Sequence, residues 1–202
     1  MEGSSFGRGE LKQAGKYSDM GTRNPWKTIS SRKVYSNPWM SVREDQVIRP
    51  DGQNGVYGVI DTRTATGVVA LTPEHEVYLV GQYRYPTDVY SWEIVQGGVD
   101  EDEDPLTACK RELQEEAGLI AETWTPIGGE IHLSNCISSE KGYLFVAEGL
   151  SETEASPDGT EVLQLKKLPL REAVRMAVSG EIVDAVSIIG ILLAEKWLND
   201  AV

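Results

Sequence analysis

Leu106, Cys109, Leu113 and Ala117 recur at intervals of three or four residues, the period at which side chains return to one side of an α-helix. The spacing predicts one amphipathic helix from Asp104 to Ala117, with Pro105 in its first turn, where a missing amide hydrogen costs nothing. At about 100° per residue, Glu112, Glu115 and Glu116 fall within roughly a third of the circumference, beside the apolar sector of Leu106, Leu113 and Ala117. Such a helix buries one side and holds three carboxylates at an edge. Arg111 stands one turn before Glu115 and is placed to pair with it. Three glutamates crowded on one face are tolerable once a cation joins them. Hard, oxygen-rich sets of this kind suit Mg²⁺ or Mn²⁺, which keep several waters and share phosphate oxygens. A lone Glu-x-x-Glu-Glu is more simply a solvated helix face, so the residues around it decide.

The rest of the composition is consistent with a cation-dependent site. The 202 residues carry a net charge of −13, and a chain of this length buries one sizeable core. The first 50 residues hold nine Lys/Arg against five Asp/Glu, which leaves ten against 27 for the remainder. Nonspecific nucleic-acid or anionic-membrane binding needs clustered cations that this body lacks, so no nucleic acid and no membrane is expected as a partner. An acidic body also needs a cation to approach a phosphate. The longest apolar runs, such as Ile188 to Ala194, fall short of the roughly 18 to 20 residues of a membrane span. Cys109 and Cys136 form neither a metal spacing nor a disulfide framework; they read as two ordinary buried thiols in a reducing, cytoplasmic setting.

Residues 1 to 22 are polar, rich in Gly and Ser and without periodicity, which is the composition of a disordered extension. Residues 23 to 60 alternate β-branched and aromatic side chains through Lys33 to Tyr35, Trp39 to Val42 and Gln46 to Ile48. The Asp51-Gly52-Gln53-Asn54-Gly55 turn then returns the chain through Val56 to Asp61. Their apolar content exceeds what a solitary hairpin can cover, so this region is expected to build a homodimer. Residues 61 to 202 form the main domain, with strands over Thr66 to Leu71, Glu76 to Tyr83, Ser91 to Val95, Ile127 to His132, Gly142 to Ala147 and Val162 to Lys167. Two further helices are expected over Leu170 to Val178 and Ala185 to Leu198. Strands dominate and helices are inserted or terminal, so the class is α+β, an α/β/α sandwich on a mixed sheet with an N-terminal β-strand extension.

Gly97, Glu103, Arg111, Glu112, Leu113, Glu115, Glu116, Gly118 and Leu119 stand in the pattern Gly-x5-Glu-x7-Arg-Glu-Leu-x-Glu-Glu-x-Gly-Leu. In this the chain resembles the Nudix hydrolases, with no departure inside the motif. The resemblance implies the Nudix fold and hydrolysis of a nucleoside diphosphate linked to another moiety. It makes Glu112 and Glu116 the principal Mg²⁺ ligands and Glu115 a further one, with backbone groups near Gln96 and Gly97 also meeting the metal. Glu103 and Arg111 join a supporting ion-pair network. Gly97 is expected to let the loop turn sharply onto the helix, and Gly118 to cap it.

Outside the motif, Gln82-Tyr83-Arg84-Tyr85-Pro86 and Ser91-Trp92-Glu93-Ile94 are similar to segments of Nudix enzymes that act on ADP-ribose and other nucleoside diphosphate sugars. Arg84 is the candidate for a diphosphate oxygen, with a surface ion pair as its plainer role. Glu93 is either a metal or ribose contact or an outward-facing strand carboxylate. Trp26 and Trp39 either stack on a nucleobase, across a dimer interface, or pack in the core. ADP-ribose-specific relatives carry a Ser-Pro-Gly-like segment where this chain reads Leu133-Ser134-Asn135, so a broader nucleoside diphosphate sugar hydrolase is expected. Relatives often carry Glu or Ala where Gln96 stands. The general base is sought on the loop Ser151 to Thr160 before the last strand, with Glu161 the choice and Glu152 and Glu154 the alternatives. The competing functions are a non-catalytic nucleotide-sugar-binding regulator on a Nudix scaffold, and a hydrolase of nucleoside triphosphates or dinucleoside polyphosphates.

Overall fold

A computed structural model of the chain describes residues 23–156, 159 and 162–200. The expected extension over residues 1 to 22 and the candidate base Glu161 lie outside the described residues. The alternating residues of the N-terminal region form β1 (Lys27–Ser36), β2 (Met40–Ile48) and β3 (Asn54–Thr62), an antiparallel sheet in that order. β1 is exposed along its whole length, and β3 anchors the sheet to the body. Ile60 N–H donates to the Ile137 carbonyl at 2.9 Å and Tyr57 Oη to the Cys136 carbonyl at 2.7 Å.

The body begins with β4 (Ala65–Ala70), β5 (Glu76–Arg84), β6 (Val89–Glu93) and β7 (Val95–Gly98), which lead into α1 (Pro105–Ala117). Then come β8 (Leu119–Ile120), β9 (Thr123–His132), β10 (Lys141–Glu148), β11 (Ser151–Glu152), β12 (Gln164–Pro169), α2 (Leu170–Ser179) and α3 (Ala185–Asp200). The central sheet runs β7-β4-β10-β9, with β4 and β10 parallel and both outer pairs antiparallel. A strand buried on both faces must be apolar at nearly every position, and β4 and β10 are. Val68, Ala70, Phe145 and Ala147 face α1, where Cys109, Leu113 and Ala117 complete one core cluster. Val69, Leu71, Leu144 and Val146 join the opposite cluster with Val186, Ile191 and Ala194 of α3. The result is a mixed sheet between helices, an α+β fold. A second antiparallel sheet, β12-β5-β6, extends the wall of the core, and β11 pairs with β8. Pro126 is accommodated in β9 because that strand is an edge.

Several expectations shift. The run Ser91 to Val95 breaks at Ile94, where the chain leaves one sheet for the other: β6 pairs with β5, whereas β7 pairs with β4. The last strand begins at Gln164, two residues later than expected, and Ser151–Glu152 is strand where a loop was expected. Only one of the two thiols is buried. Cys109 lies under α1, where desolvation pushes it up to about 12 despite the Thr66 hydroxyl beside it, whereas Cys136 is exposed on the loop that receives β3.

Candidate active site

The loop between β7 and α1 is held at both ends. Asp104 caps the helix, its Oδ1 accepting the amides of Leu106 and Thr107 at 3.0 and 3.2 Å, and Pro105 occupies the first helical position. Gly118 ends the helix at φ 62°, a left-handed conformation that glycine adopts without strain. Gly97 is a glycine for a different reason than the expected sharp turn. Its φ is not positive, and a Cβ there would stand 2.0 Å from Glu112 Oε1, so the position is empty to admit that carboxylate.

Arg111 organises the acidic face. Its Nε and Nη2 meet both oxygens of Glu103 at 3.2 and 2.9 Å, Nη2 also reaches the Gly98 carbonyl at 3.0 Å, and Nη1 meets Glu112 Oε1 at 2.7 Å and Glu115 Oε2 at 3.1 Å. These carboxylates raise the guanidinium pKa further, and Arg111 beside Glu103 holds that carboxyl below its ordinary value. Glu116, one turn on, is the more deeply buried carboxylate of the face. It is only 6% exposed, and its Oε2 accepts the Gln96 amide at 3.3 Å.

A cleft of about 750 Å³ opens in front of this helix face, with Arg84, Arg111, Gln96, Gly97, Glu112 and Glu116 among its walls. Arg84, at the end of β5, is oriented from below by Glu93, which is 1% exposed. Arg84 Nε lies 2.9 and 3.1 Å from the two oxygens of Glu93, and Nη2 binds the same carboxylate. Burial pushes Glu93 up, but the Arg84 hydrogen bonds and charge outweigh it and the carboxyl lies below its ordinary value. Arg84 itself is raised, chiefly by that pairing.

The sequence-based candidates thus divide. Trp39, 71% exposed, lines the cleft; Trp26 does not, and sits edge-on against Tyr57 at 5.3 Å. Glu93 is not an outward-facing carboxylate: it is the buried partner of Arg84, and it lines a smaller pocket that shares Arg84, Asp184 and Ala185 with the cleft. Glu103 and Glu115 pair with Arg111 without lining the cleft, and the Glu115 side chain is 39% exposed. Glu152 and Glu154 are exposed and away from the cleft wall. Three further carboxylates that sequence reasoning missed do line the cleft: Asp100, paired with Arg63 at 2.6 Å, Glu140 and Asp184. Glu140, ahead of β10, is raised by burial and then by the charge of Asp184, while Asp184 accepts the Ser187 amide and hydroxyl, each at 2.7 Å. They stand 44 residues apart and carry no motif; only the return of α3 to the sheet brings them together.

Among the described residues no three His, Cys, Asp or Glu side chains stand close enough to hold an ion unaided. The described residues by themselves therefore offer no wholly protein-made cage. Mg²⁺, however, is ordinarily held by one or two carboxylates and completes its octahedron with water and substrate phosphate. Glu112 and Glu116, one turn apart on the cleft wall with the bare backbone of Gly97 against Glu112, fit that mode of binding.

The chain is similar to known proteins over most of its length. A family model described as the nucleoside diphosphate sugar hydrolase N-terminal domain matches residues 26–60, and the NUDIX domain model matches residues 61–185. The chain is 31% identical to the ADP-ribose pyrophosphatase of Mycobacterium tuberculosis over 171 residues, 83% of this chain and 82% of that one. It is also 31% identical to the methanol dehydrogenase activator of Bacillus methanolicus over 167 residues, 82% of this chain and 90% of the other. A solved structure of an ADP compounds hydrolase shares the fold at TM-score 0.78 with 22% identity, covering 87% of this chain and 95% of that one.

Proposed function

The chain belongs to the Nudix family and is a Nudix pyrophosphohydrolase, and from that premise we propose that it hydrolyses the diphosphate of nucleoside diphosphate sugars, ADP-ribose among them, with Mg²⁺ or Mn²⁺. The observation that carries this reading is the convergence of Arg84 with Glu112 and Glu116 on one cleft, a cation for the diphosphate and an anionic pair for the metal. Glu112 and Glu116 would hold the metal, assisted by backbone at Gln96 and Gly97. A divalent cation there supplies neutralisation of the charge that develops on the diphosphate oxygens. Glu93 occupies Nε and Nη2 of Arg84, and Nη1 has no hydrogen-bond partner among the described residues, so it is directed to a phosphate oxygen. Arg111 and Glu103 keep Glu112 in orientation. Trp39, which lines the cleft, would stack on the base.

Water attacks one phosphorus, the bond to the bridging oxygen breaks, and a nucleoside monophosphate and a sugar phosphate leave. The proton lost by the water needs a carboxylate other than Glu112 and Glu116, whose charge is committed to the cation; we assign it to Glu161. We also propose a homodimer built on the N-terminal sheet, supported by the exposed Ile29, Val34, Tyr35 and Val56. Monophosphate release from ADP-ribose, ADP-glucose, GDP-mannose, NADH and dGTP, assayed with Mg²⁺, tests the substrate reading. ADP-ribose or another nucleotide sugar should turn over fastest. Preferential turnover of dGTP would overturn the substrate class, and binding of a nucleotide sugar without turnover would favour a non-catalytic regulator.

A further inference from the structure

Gln96 is bonded at both ends. Its Nε2 donates to Glu93 Oε2 at 2.6 Å, and its main-chain amide donates to Glu116 Oε2 at 3.3 Å. The residue stands just past the break at Ile94, so its side chain reaches back to β6 in the outer sheet while its backbone belongs to β7 in the central one. Arg84 and Glu93 lie in the outer sheet, whereas the carboxylates assigned to the metal project from α1 on the central sheet. Arg84, Glu93, Gln96 and Glu116 therefore form a continuous hydrogen-bonded line from the cation of the cleft to its anionic wall, with Gln96 the member that crosses between sheets.

A carboxylate as buried as Glu93 must have its lone pairs met by donors. Arg84 provides most of them. The Gln96 side-chain amide, with the Ser91 hydroxyl, provides the rest, and so helps to fix where the carboxylate sits and which way it turns the guanidinium fork. We infer that Gln96 is a positioning residue that sets the direction of Arg84 relative to Glu112 and Glu116, and with it the diphosphate geometry that the cleft accepts. This rests on the proposed diphosphate chemistry. It separates the two roles of the residue: the side chain governs Arg84, and the main chain governs Glu116.

The test is the calorimetric affinity of α,β-methylene-ADP-ribose, which cannot be hydrolysed at its bridge, measured in Mg²⁺. The proteins are the wild type, Gln96→Met, Arg84→Lys and the double variant. Gln96→Met keeps length and main-chain amide but removes the side-chain donor. It should weaken binding roughly tenfold, the consequence of one lost supporting hydrogen bond. In the Arg84→Lys background the same change should cost less than about twofold, because its target is gone. Mn²⁺ affinity, read by electron paramagnetic resonance, should stay within about twofold of wild type, since the Gln96 amide persists. Gln96→Ala provides the same arm if the methionine variant does not fold. Additive losses, an unchanged affinity in both Gln96 variants, or a parallel loss of Mn²⁺ binding would overturn the inference. Tight binding of the analogue without hydrolysis of ADP-ribose would instead defeat the hydrolase reading and leave the coupling measurable. Failure of the wild type to bind the analogue would overturn both.

Discussion

Glu116 is the residue whose charge the site needs and whose shape the fold needs. It was expected at a solvent-facing edge of the helix, yet it is buried and accepts the Gln96 amide. Glutamine at that position keeps the accepting oxygen and the volume while removing the charge. Glu116→Gln should therefore lower turnover of ADP-ribose by at least on the order of 10² while the melting temperature moves by only a few degrees. Full activity at saturating Mg²⁺ would remove Glu116 from the metal shell. Residues such as Glu112 and Arg111 were readable because they are neighbours on one helix, with Glu115 one turn on and Glu103 just ahead of its first turn. Glu93 was not, because its burial follows from the registry of β5 against β6 and its link to Gln96 from the sheet change at Ile94. Glu140 and Asp184 share a cleft only through the tertiary fold.

At the scale of elements, β9 and β10 are joined outside the core by Glu130, which accepts Tyr143 Oη at 2.6 Å, Lys141 Nζ at 3.1 Å and a His132 ring nitrogen at 3.1 Å. Hydrogen bonds from Tyr143, His132 and Lys141 depress the Glu130 pKa to about 2. A folded value below the unfolded one, about 4.3, gives stability that is present above that pH and is lost as the pH falls toward the folded pKa. Glu130→Gln should consequently narrow the difference in melting temperature between pH 5 and pH 3, by about 1–2 °C for so exposed a group. An unaltered acid limb would mean that these bonds are not populated in solution. Helix α1 was legible because thirteen residues give its period several repeats, and β4 and β10 because their central stretches, residues 67–70 and 144–147, are continuously apolar. β8 and β11, two residues each, are too short to carry any period.

For the whole molecule, the proposed homodimer rests on the exposed Ile29, Val34, Tyr35 and Val56 of the N-terminal sheet. Sedimentation at micromolar concentration should give twice the 22.2 kDa of one chain, and removal of residues 1 to 48 should abolish both assembly and turnover. A monomeric mass would contradict the assembly. The layered architecture was visible in the order of strand and helix periods, but the exposure of every residue of β1 was not. Alternation alone cannot distinguish a strand that packs within its own chain from one that awaits another. The central claim is that Glu112, Glu116 and Arg84 serve a cation-dependent cleavage of a nucleotide-sugar diphosphate. Its most direct measurement is AMP formation from ADP-ribose by purified protein, first stripped with EDTA and then titrated with Mg²⁺. The account predicts no AMP from the stripped protein and saturable restoration by Mg²⁺; AMP release that persists in EDTA, or none at any Mg²⁺ concentration, would contradict it.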